Sequence, residues 1–166
     1  MDPVLRHPLH PTDTWWTGLR NALDRVAATP TDRVAVRREW VERAVPKYLH
    51  APAPDPTTWT TAHGDLHWAN LTTHGPKFLD WEGWGVAPAG YDAAMLHTYS
   101  LAEPDVAARV RRNLPILDTP DGLLAETIVV TELLQGLVER GDNRAIETPL
   151  LHRADALRAR LVHESA

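Results

Sequence analysis

Several features common in other protein classes are missing from this 166-residue sequence. It contains no cysteine, which excludes a disulfide framework and any metal site built on thiolates. No window approaches the ~18 apolar residues of a membrane span, and the first residues, MDPVLRHPLHPTD, lack the basic and continuous apolar regions of a signal peptide. We therefore expect a cytoplasmic protein that works without a membrane.

Excess positive charge is also missing. The formal net charge is -5, with 43% hydrophobic and 23% charged residues, which is typical of a folded globular chain. The arginines cluster at helical spacing beside acidic residues, so they indicate solvated helix faces. Nucleic acid is thus a poor candidate partner, and the acidic balance instead suits a cationic small molecule.

The length predicts one domain covering residues 1–166, because a chain near 150 residues can bury roughly 68–70% of its unfolded surface. Within it we distinguish a helical lead-in at 1–57, a catalytic loop and metal hairpin at 58–92, and a helical part at 93–166.

Apolar periodicity and capping residues predict the helices. The first begins at Thr12 or Asp13 and ends at Thr29, and the second begins at a Thr31 cap and is kinked or ended by Pro46. Further helices are expected near 91–100, 104–113, 120–139 and 143–162, the third being central and buried. The predicted core comprises Trp15, Leu19, Leu23, Ile128, Leu133, Leu134, Leu137 and Leu157.

Between these helices the pattern changes to short β-type runs. TWTTAH, NLTT and KFLDW follow one another from residue 58, and HGP separates the last two as a turn. We expect a small β-hairpin that carries a loop. The fold class is therefore α+β and mainly helical.

The stretch from Thr61 to Gly85, TAHGDLHWANLTTHGPKFLDWEGWG, concentrates polar groups suited to phosphate chemistry. Phosphoryl transfer needs a carboxylate to accept a hydroxyl proton and oxygen ligands that hold Mg²⁺ on the phosphates. Asp65, Asn70 and Asp80 supply such groups in the order that kinases use.

The same residues carry a resemblance to a known family. His63 to Asn70 reads HGDLHWAN, followed by FLDWE at 78–82 and GYD at 90–92. This resembles the aminoglycoside phosphotransferase and choline-kinase-like family, and it covers His63 to Asp92. The resemblance implies the C-terminal lobe of a protein-kinase-like fold, with ATP or another nucleoside triphosphate and Mg²⁺ as cofactors.

The resemblance also implies roles for particular residues. Asp65 would be the catalytic base, and Asn70 and Asp80 the magnesium ligands. Three further residues would hold the loop in shape: His63, His67 and Asp92. Trp81 and Glu82 would lie beside the metal.

Each role has a simpler alternative. Asp65 could be a turn former after Gly64, and Asp80 could cap the loop after a strand. His63 and His67 could ligate a transition metal with Asp65, as in a metallohydrolase, whereas for His67 a structural histidine donating to backbone carbonyls is favoured over a proton shuttle. The tryptophans at 68, 81 and 84 could stack on a substrate, although packing is more usual.

One part that the resemblance leads us to expect is missing. A kinase of this type has an N-terminal lobe with a loop over the phosphates and a strand lysine. Only 62 residues precede His63, Gly18 is the one glycine before Gly64, and the two lysines are Lys47 and Lys77. The sequence resembles a C-terminal lobe alone.

Three functions follow as hypotheses. The first is a phosphotransferase that moves the γ-phosphoryl group of a nucleotide to a hydroxyl of a small molecule, such as an aminoglycoside-like or other cationic metabolite. A second copy of the chain or a separate N-lobe-like protein would then cover the face that the missing lobe leaves open. The second is a catalytically silent lobe that docks a partner. The third is a His/Asp metallohydrolase.

Overall fold

The computed structural model describes residues 10–164, without the side chain of the last of these. Six α-helices and two strands make up most of this part, and short 3₁₀ and π-helical turns join them. In chain order the elements are α1 (Asp13–Ala27), α2 (Arg38–Ala44), a π-helix (Val45–Leu49), β1 (Trp59–Ala62), a 3₁₀ turn (Trp68–Asn70), β2 (Gly85–Pro88), α3 (Tyr91–Thr98), α4 (Pro104–Asn113), a 3₁₀ turn (Pro115–Asp118), α5 (Pro120–Arg140), a 3₁₀ turn (Arg144–Ile146) and α6 (Glu147–Glu164). The expected mainly helical α+β class is confirmed.

Local capping explains where two of the helices begin. The Thr12 hydroxyl accepts a hydrogen bond from the Trp15 amide at the start of α1, and Thr119 accepts one from Gly122 at the start of α5. Such side-chain caps satisfy amides that have no partner within the helix. The prediction of a helix at 104–113 is confirmed, since α4 has these bounds.

The predicted start of the second helix at Thr31 is wrong. Residues 33–36 run beside β2 instead: the Val86 amide donates to the Arg33 carbonyl at 2.8 Å, and the amides of Ala35 and Val36 donate to the Val86 carbonyl. Backbone groups bonded to a strand cannot also bond within a helix. Thus α2 begins only at Arg38, and the chain passes Pro46 within a π-helical turn.

The last helix also begins later than predicted. Asn143 takes a left-handed conformation with φ of 61°, and a 3₁₀ turn follows it before α6 starts at Glu147. A left-handed residue ends regular helical hydrogen bonding, so a helix beginning at 143 is excluded.

The two strands flank the segment that carries the polar motif. They pair antiparallel, with Trp59 opposite Pro88 and Ala62 opposite Gly85. The runs NLTT and KFLDW, expected as strands, form only one isolated bridge, between Leu71 and Phe78. That pairing stops because Asp80 turns into the left-handed region with φ of 56°, which a continuing strand does not allow.

The core lies around α5, which packs on α3 and α6. Its apolar residues are buried on more than one side, as expected for a central helix. Of the eight predicted core residues, seven are buried and Leu23 is partly buried against the others. Across residues 10–164, no helix has the length and apolar character that a bilayer crossing requires.

Candidate active site

Asp92 fixes the start of the loop that follows β1. It lies in the first turn of α3, and its carboxylate accepts hydrogen bonds from the amides of His63 at 2.7 Å and Gly64 at 3.0 Å. Burial raises the pKa of Asp92, and the two amide donors oppose that rise. Helix α3 thereby holds the backbone just before Asp65.

His63 connects this loop to the segment that carries Asp80. Its buried ring accepts a hydrogen bond from the Asp65 amide at Nδ1 (3.3 Å), and Nε2 lies 2.8 Å from the Leu79 carbonyl oxygen. Because Nδ1 accepts, the proton must lie on Nε2, which donates to Leu79. The Leu79 amide in turn donates to the Asn70 carbonyl at 2.9 Å. Asp80 therefore follows a residue that both His63 and Asn70 hold.

Asp65 points its carboxylate toward two neighbours in the same loop. Its Oδ2 lies 3.4 Å from His67 Nε2 and accepts from Asn70 Nδ2 at 3.3 Å, while its side chain stays 49% exposed. The hydrogen bond from His67 lowers the pKa of Asp65, although partial burial opposes this. The carboxylate is thus ionised, oriented and open to a ligand.

His67 does not make the contacts that we favoured from the sequence. Its Nε2 faces the side chains of Asp65 and Asn70 rather than a backbone carbonyl, and its ring packs edge-on against Tyr99. Its buried Nδ1 has no partner among the described residues. The ring therefore supports the carboxylate and amide of this loop directly.

The donor atoms near Asn70 suit a hard cation. The Asn70 amide nitrogen donates to the Asp65 carbonyl at 2.9 Å and to the Asp65 carboxylate, which leaves the side-chain oxygen as the atom that can bind a cation. Mg²⁺ takes few protein ligands because it keeps waters and phosphate oxygens. Asp80 is exposed and also offers a hard carboxylate oxygen, so the donor chemistry of Asn70 and Asp80 suits this ion.

A different kind of metal centre was one of our alternatives. Within the described residues, no group of three or more His, Asp or Glu side chains is arranged to hold a metal ion. The metallohydrolase alternative, which needs such a group, gains no support from this part of the chain.

The tryptophans of the stretch differ in their surroundings. Trp68 is buried and donates to the Ser100 hydroxyl at 2.8 Å, so it packs in the core. Trp81 is 43% exposed, with its ring 4.8 Å from that of His63. Trp84 is half-buried, and Glu82 is exposed. Trp81 and Trp84 are therefore open to a ligand or a partner, and Trp68 is not.

Arg33 is a contact residue that the sequence did not reveal. Its guanidinium donates to the carbonyls of Glu82 at 2.7 Å and Trp84 at 3.0 Å, and it lies 5.6 Å from the Trp84 ring centroid. The backbones are close here, since a Cβ on Gly85 would lie 2.6 Å from the Ala35 amide. The pair of glycines at 83 and 85 was the available signal, because glycine within a strand pattern often marks close backbone approach.

We predict that Arg33→Ala destabilises the turn after Asp80. Two hydrogen bonds from a charged donor are lost, so the free energy of unfolding should fall by ~1–3 kcal/mol, and the amides at 82–84 should exchange faster with solvent. Arg38→Ala is the matched control, because Arg38 also stacks on a tryptophan, Trp59, and its partner is the exposed Asp55. Equal exchange at 82–84 in both variants would contradict the prediction.

Comparison with known proteins adds the family. No curated protein and no solved structure matches the chain. A family model described as the phosphotransferase enzyme family matches residues 1–123, a range that includes the site from His63 to Asp92. The match agrees with the resemblance to aminoglycoside phosphotransferases, and since it spans well over half of the 166 residues, the chain belongs to the phosphotransferase enzyme family.

Proposed function

We propose that this chain transfers the γ-phosphoryl group of a nucleoside triphosphate, such as ATP, to a hydroxyl group of a small molecule. Family membership supports phosphotransferase activity. The observation that carries the finer proposal is the half-exposed Asp65 carboxylate, which His67 and Asn70 orient. A positioned carboxylate of this kind can accept the proton of an attacking hydroxyl.

Each residue of the loop has a separate role in this proposal. Asp65 orients the acceptor hydroxyl and takes its proton as the oxygen attacks, and its lowered pKa keeps it ionised in the resting protein. Asn70 and Asp80 would hold Mg²⁺, which when bound neutralises charge on the phosphates. His63 and Asp92 keep the two loop segments in register through the Leu79 carbonyl and the loop amides.

We also infer that a second copy of the chain or a separate N-lobe-like protein completes the nucleotide site. The residues before His63 contain neither a glycine-rich loop nor a strand lysine for the phosphates. Phe78, Trp81 and Trp84 line an apolar groove of about 590 Å³ against α1, and aromatic side chains that are open to solvent can anchor a partner. The same groove favours the alternative of a silent docking lobe.

Nucleotide binding by the chain alone tests the proposal. With one side of the nucleotide uncovered, millimolar Mg-ATP should lie near its Kd and stabilise the fold by only ~0.4 kcal/mol, whereas a hundredfold excess over Kd would give ~2.7. At 2–4 °C per kcal/mol, the melting temperature should rise by about 1 °C rather than roughly 5–11 °C.

The metal provides the control for this measurement. The small shift should disappear with EDTA and in Asp80→Asn, which removes a proposed magnesium ligand. Persistence of the shift in both cases would contradict the site, and a rise of ~5 °C or more in a monomeric sample would contradict the need for a partner.

A further inference from the structure

A polar pocket of about 430 Å³ lies between the start of α2 and the outer face of α5. It is lined by Ala35, Val36, Arg37, Trp40, Arg43, Glu132, Gln135 and Arg140. The proposed reaction assigns no role to these side chains. Three of them are arginines, although the net charge of the chain is -5.

One wall of the pocket lies against the backbone just before Asp65. A Cβ on Gly64, the residue before Asp65, would lie 3.5 Å from the Cβ of Ala35 in the pocket wall. From the other side, the Tyr91 hydroxyl donates to Glu132. Burial raises the pKa of Tyr91, and the negative charges of Glu132, Asp92 and Asp65 add to that rise, so these groups share one electrostatic neighbourhood. The wall of the pocket and the loop that carries Asp65 are therefore neighbours.

The charges that line the pocket are mostly positive and weakly compensated. Three arginines face one carboxylate there. Within the described residues Arg37 makes no ion pair. Arg43 makes a single hydrogen bond there, from Nε to the Glu39 carbonyl oxygen at 3.1 Å. Arg140 is the one that pairs with an acid, through Nε to Asp142 at 2.6 Å. Guanidinium groups of Arg37 and Arg43 thus remain free to donate.

The other lining residues form a fixed surface beside these arginines. Trp40 donates from Nε1 to the Gln135 side-chain oxygen at 3.0 Å, and Gln135 donates onward to Glu139. These bonds fix the indole, which forms an apolar surface together with Ala35 and Val36. A few placed polar groups on an apolar wall are typical of small-molecule sites.

We propose that this pocket is the acceptor site and that it binds an anionic group, a carboxylate or a phosphate, of the molecule whose hydroxyl is phosphorylated. The inference rests on the proposed phosphotransferase function. Arginine recognises both groups through paired hydrogen bonds. Among the lining side chains three arginines outnumber one carboxylate, so the lining favours an anionic group over the cationic acceptor that the net charge of the chain suggested.

The test is a titration of the full chain with small probe molecules. Binding is monitored by NMR through the Nε–Hε signals of the arginines. The probes are sodium malate, which carries hydroxyl and carboxylate groups, and inorganic phosphate, with erythritol as the neutral and ethanolamine as the cationic comparison. We expect saturable shifts of Arg37 and Arg43 with at least one anion and none with the other two probes. Arg37→Gln or Arg43→Gln should weaken the anion Kd roughly tenfold or more.

Arg38→Gln is the matched control, because Arg38 is adjacent in sequence but pairs with Asp55 outside the pocket. This variant should bind the anions as the unchanged protein does. Absence of saturable binding by both anions, an equal response at Arg38, or saturation by ethanolamine instead would overturn the proposal.

A second titration shows whether the pocket binds the acceptor or the phosphates of the nucleotide. If malate or phosphate still binds in saturating Mg-ATP, the pocket belongs to the acceptor; if Mg-ATP displaces both competitively, the arginines serve the nucleotide phosphates and the acceptor proposal fails. Because the readout is binding, a chain that transfers no phosphate would refute the proposed function without affecting this result. Asp65→Asn should retain the anion site.

Discussion

Asp65→Asn is expected to lower kcat by ~10²–10⁴, the usual contribution of a positioned general base, while KM for the nucleotide changes little. The amide is isosteric with the carboxylate but cannot accept the hydroxyl proton. Asp65 is half-exposed, and its oxygens bond only within the loop, so the fold should tolerate the change. The measurement is phosphate transfer by the chain, with its partner where one is needed.

Asp55→Asn is the control for this experiment. Asp55 is an exposed aspartate that pairs with Arg38 at 3.1 Å, away from the loop, so its removal should leave kcat unaltered. Undiminished turnover in Asp65→Asn would remove Asp65 from the role of base. A matching loss in Asp55→Asn would show that the assay reports stability rather than chemistry.

The helices that the sequence predicted well are those set by neighbouring residues. Thr119 followed by Pro120 marks the start of α5, and apolar periodicity marks its length. The segment at 33–36 was misassigned because its conformation depends on Val86, which is distant along the chain. Tertiary hydrogen bonds of this kind override local propensity and leave no periodic signal.

The residues of the candidate site divide in the same way, into those that neighbouring residues reveal and those that depend on distant parts of the chain. Asp65 and Asn70 are close in sequence, so their residue types and spacing show the motif directly. The contacts of Arg33 with the Glu82 and Trp84 carbonyls involve backbone atoms, which any residue supplies, and sequence therefore does not encode them visibly.

Glu126 is completely buried in α5 and joins four helices. Arg153 of α6 donates to both of its carboxylate oxygens, Arg111 of α4 donates to Oε2 at 3.5 Å, and His97 Nδ1 of α3 lies 3.0 Å from Oε1. A buried carboxylate must be compensated in this way, because removing it from water is costly.

We predict that Glu126→Gln lowers the free energy of unfolding by about 3–5 kcal/mol, the usual cost of breaking a buried ion pair from one side. The melting temperature should fall by roughly 6–20 °C. Glu139→Gln is the matched control: it lies on the same helix and contacts Lys47 and Tyr48, but at the surface. If the two variants melted alike, the buried cluster would not hold the helices together.

Acid titration gives an independent measure of the same cluster. Burial alone would raise the pKa of Glu126, but contacts with His97 and Arg153 and the charge of Arg153 bring it down to about 2 from an ordinary value of 4.5. A group whose pKa is depressed on folding stabilises the fold fully above its unfolded pKa and loses that contribution as the pH falls toward the folded one. At 1.36 kcal/mol per pKa unit the loss amounts to about 3 kcal/mol between roughly pH 4.5 and 2. The unchanged protein should therefore lose more stability over that range than Glu126→Gln does, in urea unfolding at a series of pH values. Parallel curves for the two proteins would show that the carboxylate is not held ionised by its neighbours.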